Sequence, residues 1–244
     1  MQRTALLDIE TSPALGYVWQ KWQTDVIEFK EDWIILSFSY QWLGEKKVYT
    51  YGLPDFPLYK KDKRNDKAIC QKLWELFDEA DIIIAHNGDG FDVPKVKTRL
   101  LIHGFPPPSP SKTIDTLKIC RTFGFLSNKL DDVCQTLGIG RKIAHTGKHL
   151  WLKCTDIIYH PKEWGLMKKY NAHDVVLLLG LYEKIRSWHK NHPALHDANC
   201  PVCGSNLIQR RGTEKRVKSL VHRLHCNSCG KWFYGEKISS IIKK

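Results

Sequence analysis

Two Cys-x-x-Cys pairs, Cys200/Cys203 and Cys226/Cys229, lie close together in the last 45 residues of a 244-residue chain. Pairs at this spacing can bring four thiolates onto one tetrahedral Zn²⁺, at Zn–S distances of about 2.3 Å. A segment this short cannot bury a sufficient apolar core, so metal coordination is expected to supply its folding energy. It is also strongly basic. Residues 200–244 carry ten Lys/Arg against two Asp/Glu, which is +8 of the chain's formal +12. Four thiolates and one Zn²⁺ would lower that to +6. Cys70, Cys120, Cys134 and Cys154 are scattered singly and read as small buried hydrophobes. The expected organisation is a main domain over 1–190, a linker over 191–199 and a basic zinc-binding module over 200–244.

The chain as a whole is 42% hydrophobic, enough for one sizeable core besides the cysteine module. Thr4 to Glu10 is apolar until it meets two acids, as expected of a buried central strand whose end reaches the surface. An irregular aromatic-bearing stretch follows. Trp33–Trp42 and Lys47–Tyr51 read as a hairpin around Leu43-Gly44-Glu45. Ile69, Leu73, Leu76, Phe77 and Ala80 recur at helical spacing and predict a helix over 65–80. Asp81–His86 is a short continuous apolar run, expected to lie parallel to the first strand. The Gly88-Asp89-Gly90 turn leads into a helix over 91–103, a short edge strand over 113–115, a helix over 130–137 and a helical region from Pro161 to about Lys190. This order fits an α/β fold, a ribonuclease-H-like mixed sheet with flanking helices, followed by the small cysteine module. The start, Met1-Gln2-Arg3-Thr4, has no signal-like apolar region and no run approaches a membrane span, so a cytoplasmic, intracellular protein of bacterial or phage type is expected.

Four acids carry chemistry in this frame. Asp8 and Glu10 are two apart on a strand and face the same way, so they can form an oxygen-rich seat for Mg²⁺ or Mn²⁺; a solvated strand end would look the same. Asp92 follows the second buried strand, where capping the next helix is the alternative. Tyr170 and Asp174 are four apart on a helix, in a stripe continued by Leu178, Leu181 and Ile185. An inward-facing Asp174 needs compensation, which a cation shared with Asp8 and Glu10 would supply. Tyr170 taken alone reads as an ordinary core aromatic of an amphipathic helix.

Asp8-Ile9-Glu10-Thr11, Asn87-x-x-x-Phe91-Asp92 and Tyr170-x-x-x-Asp174 resemble the three motifs of the DEDD 3′-5′ exonuclease superfamily, in the right order over residues 1–190. The tyrosine points to the DEDDy subgroup, because Lys169 stands where a histidine subgroup would carry its histidine. His86-Asn87 leading to Phe91-Asp92-Val93-Pro94 is most similar to the proofreading domains of family B DNA polymerases and related stand-alone exonucleases. The resemblance implies two Mg²⁺ or Mn²⁺ ions about 3.5–4 Å apart, in-line phosphodiester hydrolysis and release of nucleoside 5′-monophosphates. It assigns the water-activating ion to Asp8, Glu10 and Asp174, a second ion bridged by Asp8, a supporting role to Asp92 and water positioning to Tyr170. Thr11, Asn87 and Phe91 would touch the 3′-terminal nucleotide. Asp115 stays outside the site because a helix cap explains it equally well. Trp19 and Trp22 are expected to pack rather than to stack bases.

Cys200-Pro-Val-Cys203-Gly204 and Cys226-Asn-Ser-Cys229-Gly230 resemble the knuckles of a zinc ribbon holding one structural Zn²⁺. Arg210, Arg211, Lys215, Arg216, Lys218 and Arg223, with Trp232, Phe233 and Tyr234, are suited to clamp phosphates and stack bases. The implied partner is nucleic acid, particularly single-stranded 3′ ends in repair or replication, with no membrane involved. The alternatives are a non-catalytic zinc-ribbon adaptor and an RNA-directed or endonucleolytic nuclease on the same fold.

Overall fold

Strand β1 (Thr4–Thr11) is apolar on both faces over its first half, so it requires cover on both sides and takes the middle of a sheet. The computed structural model describes residues 2–22, 25–196, 199–217 and 219–240. After β1 come β2 (Leu15–Tyr17), β3 (Glu28–Glu31), β4 (Ile35–Trp42) and β5 (Val48–Gly52), then helices α1 (Leu58–Lys61) and α2 (Lys67–Glu79). Strand β6 (Ile82–Ala85), α3 (Asp92–Ile102) and β7 (Lys112–Asp115) follow. Helices α4 (Thr116–Cys120), α5 (Leu130–Thr136), α6 (Lys148–Cys154) and α7 (Pro161–Ile185) precede the C-terminal strands β8 (Ile208–Lys215), β9 (Ser219–Cys226) and β10 (Trp232–Ser240).

The main sheet has the order β5-β4-β1-β6-β7. β1 pairs antiparallel with β4 and parallel with β6, which in turn runs parallel to the edge strand β7. This is the mixed, ribonuclease-H-like arrangement expected from the order of elements. Alternation along β1 sends Ala5, Leu7 and Ile9 into one core with Leu73 and Phe77 of α2 and Val96 and Leu100 of α3. Leu6, Asp8 and Glu10 point the other way. Asp66, just before α2, pins this packing: its buried carboxylate accepts from Ile35 N at 2.9 Å, Arg99 Nε at 2.8 Å and His103 Nε2 at 2.6 Å. The four scattered cysteines are all buried.

Three parts differ from expectation. The stretch after β1 is a two-stranded antiparallel sheet of β2 and β3 rather than irregular chain. Trp19 and Trp22, expected to pack, are instead 83% and 85% exposed. Both strands are three or four residues long and carry no clean alternation, so periodicity had nothing to register. Helices α1, α4 and α6 were not anticipated; α1 buries only Tyr59 and α6 only Leu150 and Cys154, too few for a visible stripe. The last long helix ends at Ile185, and a single 3₁₀ turn over Arg186–Trp188 follows it.

The chain divides into two compact units, Gln2–Leu181 and the residues from Tyr182 onward, so the division falls inside α7, before the stretch read as a linker. In the second unit β8, β9 and β10 form an antiparallel sheet in the order β10-β9-β8. The buried cluster around the thiols is Cys200, Val202 and Cys226, with Cys203, Cys229 and Phe233 packed against them; Val221 of β9, Tyr182 and Ile185 are also buried in this unit. Among the described residues no helix is long and apolar enough to cross a membrane.

Candidate active site

Asp8, Glu10 and Asp174 converge: ligand oxygens of all three lie within 4.8 Å of one another. The shared face of β1 sets the first two. The third comes from α7, where Tyr170 and Asn171 each sit about one helical turn before Asp174 and all three are buried. Asn171 fixes the registration of helix on strand, because its Nδ2 donates to Asp8 O at 3.0 Å and Asp8 Oδ2 at 2.5 Å while its Oδ1 accepts from Ser39 Oγ at 3.0 Å.

Asp92 arrives differently. β6 pairs with β1 only over Thr4–Leu6, and β1 runs on beyond it. The Asp92 carboxylate takes up the amide that this leaves: Ile9 N donates to its Oδ1 at 3.1 Å, between Asp8 and Glu10. It therefore reaches β1 rather than capping α3, which has no side-chain cap. The turn that delivers it depends on its backbone. Asn87 has φ 68°, and a Cβ on Gly88 would sit 2.6 Å from Ala85 Cβ. Asp115 anchors the turn by accepting from Asn87 N at 2.9 Å and also caps α4 through Leu117 N at 2.9 Å, so the cap reading describes it.

Packing four acids together, Asp92 and Asp174 buried and Asp8 and Glu10 half-buried, has an electrostatic cost. Burial, then repulsion from Glu10, Asp174 and Asp92, holds Asp8 well above the usual carboxylate range. Burial pushes Glu10 up to about 7, although Trp151 Nε1 donates to its Oε2 at 2.9 Å. Burial pushes Asp92 to about 7 against the pull of the Ile9 amide. Asp174 is also raised by burial, with Lys142 opposing. Its Oδ1 is buried without a hydrogen-bond partner. An oxygen left in this way among like charges is what a hard divalent cation would satisfy, so these residues fit Mg²⁺ or Mn²⁺.

Lys142 stands beside them. Its Nζ donates to Asp174 Oδ2 at 2.5 Å and Tyr170 Oη at 2.9 Å, and the loop that carries it is tied to α5 by Lys142 N to Asp131 Oδ1 at 2.7 Å. Tyr170 packs edge-on against His145 and Trp151, at ring-centroid distances of 4.9 and 5.8 Å. Sequence reading missed Lys142, Asn171, Trp151 and His145. Only Asn171 left a signal, as the polar residue three before Asp174 on the same stripe.

Asp8, Asn87, Arg121, Lys129, Asp131 and Lys142 line a cleft of about 600 Å³. Thr11 and Phe91 do not contribute to that lining. Thr11 is half-buried opposite Ile35 after a bulge in β1, and Phe91 packs against the core with Lys95 Nζ 5.8 Å from its ring.

In the second unit the four thiols of Cys200, Cys203, Cys226 and Cys229 come together, with Cys200 Sγ 3.7 Å from Cys229 Sγ and Cys203 Sγ 3.7 Å from Cys226 Sγ. A tetrahedron with Zn–S bonds of about 2.3 Å has S···S edges of about 3.75 Å, so the sulfurs fit Zn²⁺. Gly204 and Gly230, at φ 72° and 77°, make the turns of the two knuckles. Arg210 and Arg211 are exposed on β8, and Arg216 stacks over Tyr234 at 3.9 Å. Lys218 lies outside the described residues. Asp66, Cys70 and His103 form a third cluster, but the Arg99 guanidinium already fills it.

A model of the RNase_H superfamily matches residues 30–186, a span that begins after β1 and so leaves Asp8 and Glu10 outside it. Over 73 residues the sequence is 40% identical to the DNA polymerase III PolC-type of Ureaplasma parvum serovar 3, covering 29% of this chain and 5% of that protein. The structure resembles the family B DNA polymerase from the hyperthermophilic archaeon Pyrobaculum calidifontis, with a TM-score of 0.57 and 17% identity, over 77% of this chain and 25% of that one. The chain thus spans a small part of either relative.

Proposed function

Because the chain belongs to the RNase_H superfamily, we propose that it is a metal-dependent 3′-5′ exonuclease of the DEDDy kind, acting on single-stranded nucleic-acid ends and releasing nucleoside 5′-monophosphates. The observation that carries this reading is the convergence of Asp8, Glu10 and Asp174 around the unpartnered Asp174 oxygen, with Tyr170 alongside. Two Mg²⁺ or Mn²⁺ ions held by these acids would supply a more acidic water and neutralise charge on the phosphate and the leaving 3′ oxygen.

The chain's own groups do the rest. Asp92 keeps β1 in place between the two acids through Ile9 N. Burial and the adjacent Asp174 raise the Tyr170 phenol well above its ordinary range, so it stays protonated. Its oxygen accepts from Lys142, and its own proton faces the Asp174 carboxylate, beside the position a bound water or phosphate oxygen would take. Lys142, Arg121 and Lys129 give the cleft a cationic side for the phosphates. Asn87, in the same lining, would contact the terminal nucleotide. Residues 1–190 would carry the hydrolysis, and 200–244 would be a zinc ribbon with one structural Zn²⁺.

The test is digestion of a 5′-labelled single strand with Mg²⁺ or Mn²⁺, run in parallel on deoxy and ribo oligonucleotides. Stepwise shortening that Asp8→Ala or Asp174→Asn slows about 10²- to 10³-fold is expected, given what losing a group that stabilises transition-state charge costs. Cleavage of a circular single strand, or no metal-dependent cleavage at all, refutes the assignment.

A further inference from the structure

The second unit contains a groove of about 790 Å³ between the 3₁₀ turn at Arg186–Trp188 and the start of β10. Trp188, Lys190, Asn191, Lys231, Trp232 and Tyr234 line it. Trp188 is 68% exposed, and Trp232 and Tyr234 are 48% exposed each. A module whose buried core is mostly sulfur needs its apolar side chains inside, yet it leaves its largest rings in solvent. Phe233, between them, does the structural work by packing against the cysteines.

Strand geometry arranges these rings as a ladder. Trp232 and Tyr234 lie on one face of β10, about 6.6 Å apart along the strand. Trp232 pairs with His225 and Tyr234 with Arg223, so both partners share that face. Arg223 sits 5.0 Å from the Trp232 ring, Arg216 3.9 Å from the Tyr234 ring, and the His225 ring 4.7 Å from Trp232. Tyr234 Oη donates to Glu214 at 3.0 Å, which fixes its ring. Flat apolar surfaces bracketed by guanidinium groups suit a ligand that offers both planar faces and a line of negative charge. A duplex hides its base faces, and an acidic peptide has charge without planar rings.

We propose that this groove binds the unpaired bases of a single-stranded nucleic acid, with Trp188, Trp232 and Tyr234 stacking and Arg216, Arg223 and Lys190 holding phosphates. The identity of the polymer rests on the reading of the acid cluster, and the experiment keeps the two apart. Binding of the full chain to fluorescein-labelled (dT)₁₂ is measured by anisotropy without added divalent ion or chelator. Base stacking contributes about 1–3 kcal/mol per base, so Trp232→Ala and Trp188→Ala should each weaken binding roughly 5- to 150-fold. Trp232→Phe, which keeps a ring, should stay within about threefold. Zinc content, and Mn²⁺-dependent hydrolysis of the p-nitrophenyl ester of thymidine 5′-monophosphate, should not change in any of them. Trp188→Ala lies outside the β-sheet and carries the test if Trp232→Ala loses zinc. Undiminished binding by both alanine variants overturns the proposal, as does displacement by twelve-residue polyglutamate or a duplex as effective as by unlabelled (dT)₁₂. Should the nuclease reading fail instead, the ester would go unhydrolysed while (dT)₁₂ binding kept its dependence on the two tryptophans.

Discussion

Asp8, Glu10 and Asp174 are gathered by a core that exists without them, whereas Cys200, Cys203, Cys226 and Cys229 are themselves most of the core they sit in. Behind the acids stand Leu7, Ile9, Leu73, Phe77, Val96 and many more buried side chains, each large one contributing about 1.5–3 kcal/mol by leaving water. Behind the thiols stands Val202, with Phe233 partly buried. The first site is a strained arrangement held by an otherwise stable fold. The second has no comparable scaffold, so its geometry and its stability have the same source. A cation at the acids should therefore alter chemistry and leave the fold in place, while a cation at the thiols should decide whether that unit folds.

Removing zinc breaks this comparison most severely. Chelation, or Cys226→Ser, withdraws a contribution of about 10 kcal/mol or more from a unit with little else to fold on. NMR spectra of the treated protein should lose the dispersed amides of β8–β10 and keep those of β1, β4 and β6. Retention of the C-terminal sheet after complete zinc removal would show that the sulfur cluster is not its source of stability.

The two sites also differed in how far the sequence revealed them. The cysteines announced themselves by spacing alone, since two thiol pairs, each three residues apart and close together in the chain, have few uses besides a shared metal. β1, β6 and the β4/β5 hairpin were legible because continuous or alternating apolar residues leave a strand few other places. Asp8, Glu10, Asp92 and Asp174 were legible only jointly, through their order on elements that suit them. What stayed hidden is what depends on a loop's path. Lys142 reaches Asp174 because Asp131 pins its backbone, and Trp151 reaches Glu10 from a seven-residue helix with two buried residues. Neither has a period or a motif. Trp19 and Trp22 misled in the other direction: large rings suggest packing, but β2 and β3 are too short to bury them.

A smaller and opposite effect is expected at the acids, where removing a ligand should strengthen the fold. Glu10 ionises near 7 in the folded chain and near 4.5 in an unfolded one, so the folded state prefers the protonated form. Its ionisation therefore costs nothing below pH 4.5, and the penalty grows between 4.5 and 7 and is complete above 7. At pH 8 Glu10→Gln should stabilise the metal-free protein by about 1–3 kcal/mol, and at pH 4 by nothing measurable. Mg²⁺ should raise the melting temperature of the parent chain at pH 8 more than that of the variant. Destabilisation of metal-free Glu10→Gln at pH 8 would mean that the carboxylate is already well compensated by Trp151 and Lys142, and that the site lacks the strain inferred for it.

The finest distinction concerns what tunes the acids, the ion or the fixed neighbours. Trp151→Phe keeps an aromatic ring beside His145 and Tyr170 while deleting the N–H that donates to Glu10 Oε2. That hydrogen bond favours the ionised carboxylate and partly offsets burial, so its loss should carry the Glu10 pKa further upward. Cation binding requires the carboxylate form. The acid limb of a plot of Mg²⁺ affinity against pH, measured by calorimetry, should then move to higher pH, and the two proteins should converge once Glu10 is fully ionised in both. A uniform loss of affinity at every pH, with no lateral displacement, would mean that Trp151 acts through packing alone and that the surrounding fold does not set the charge on Glu10.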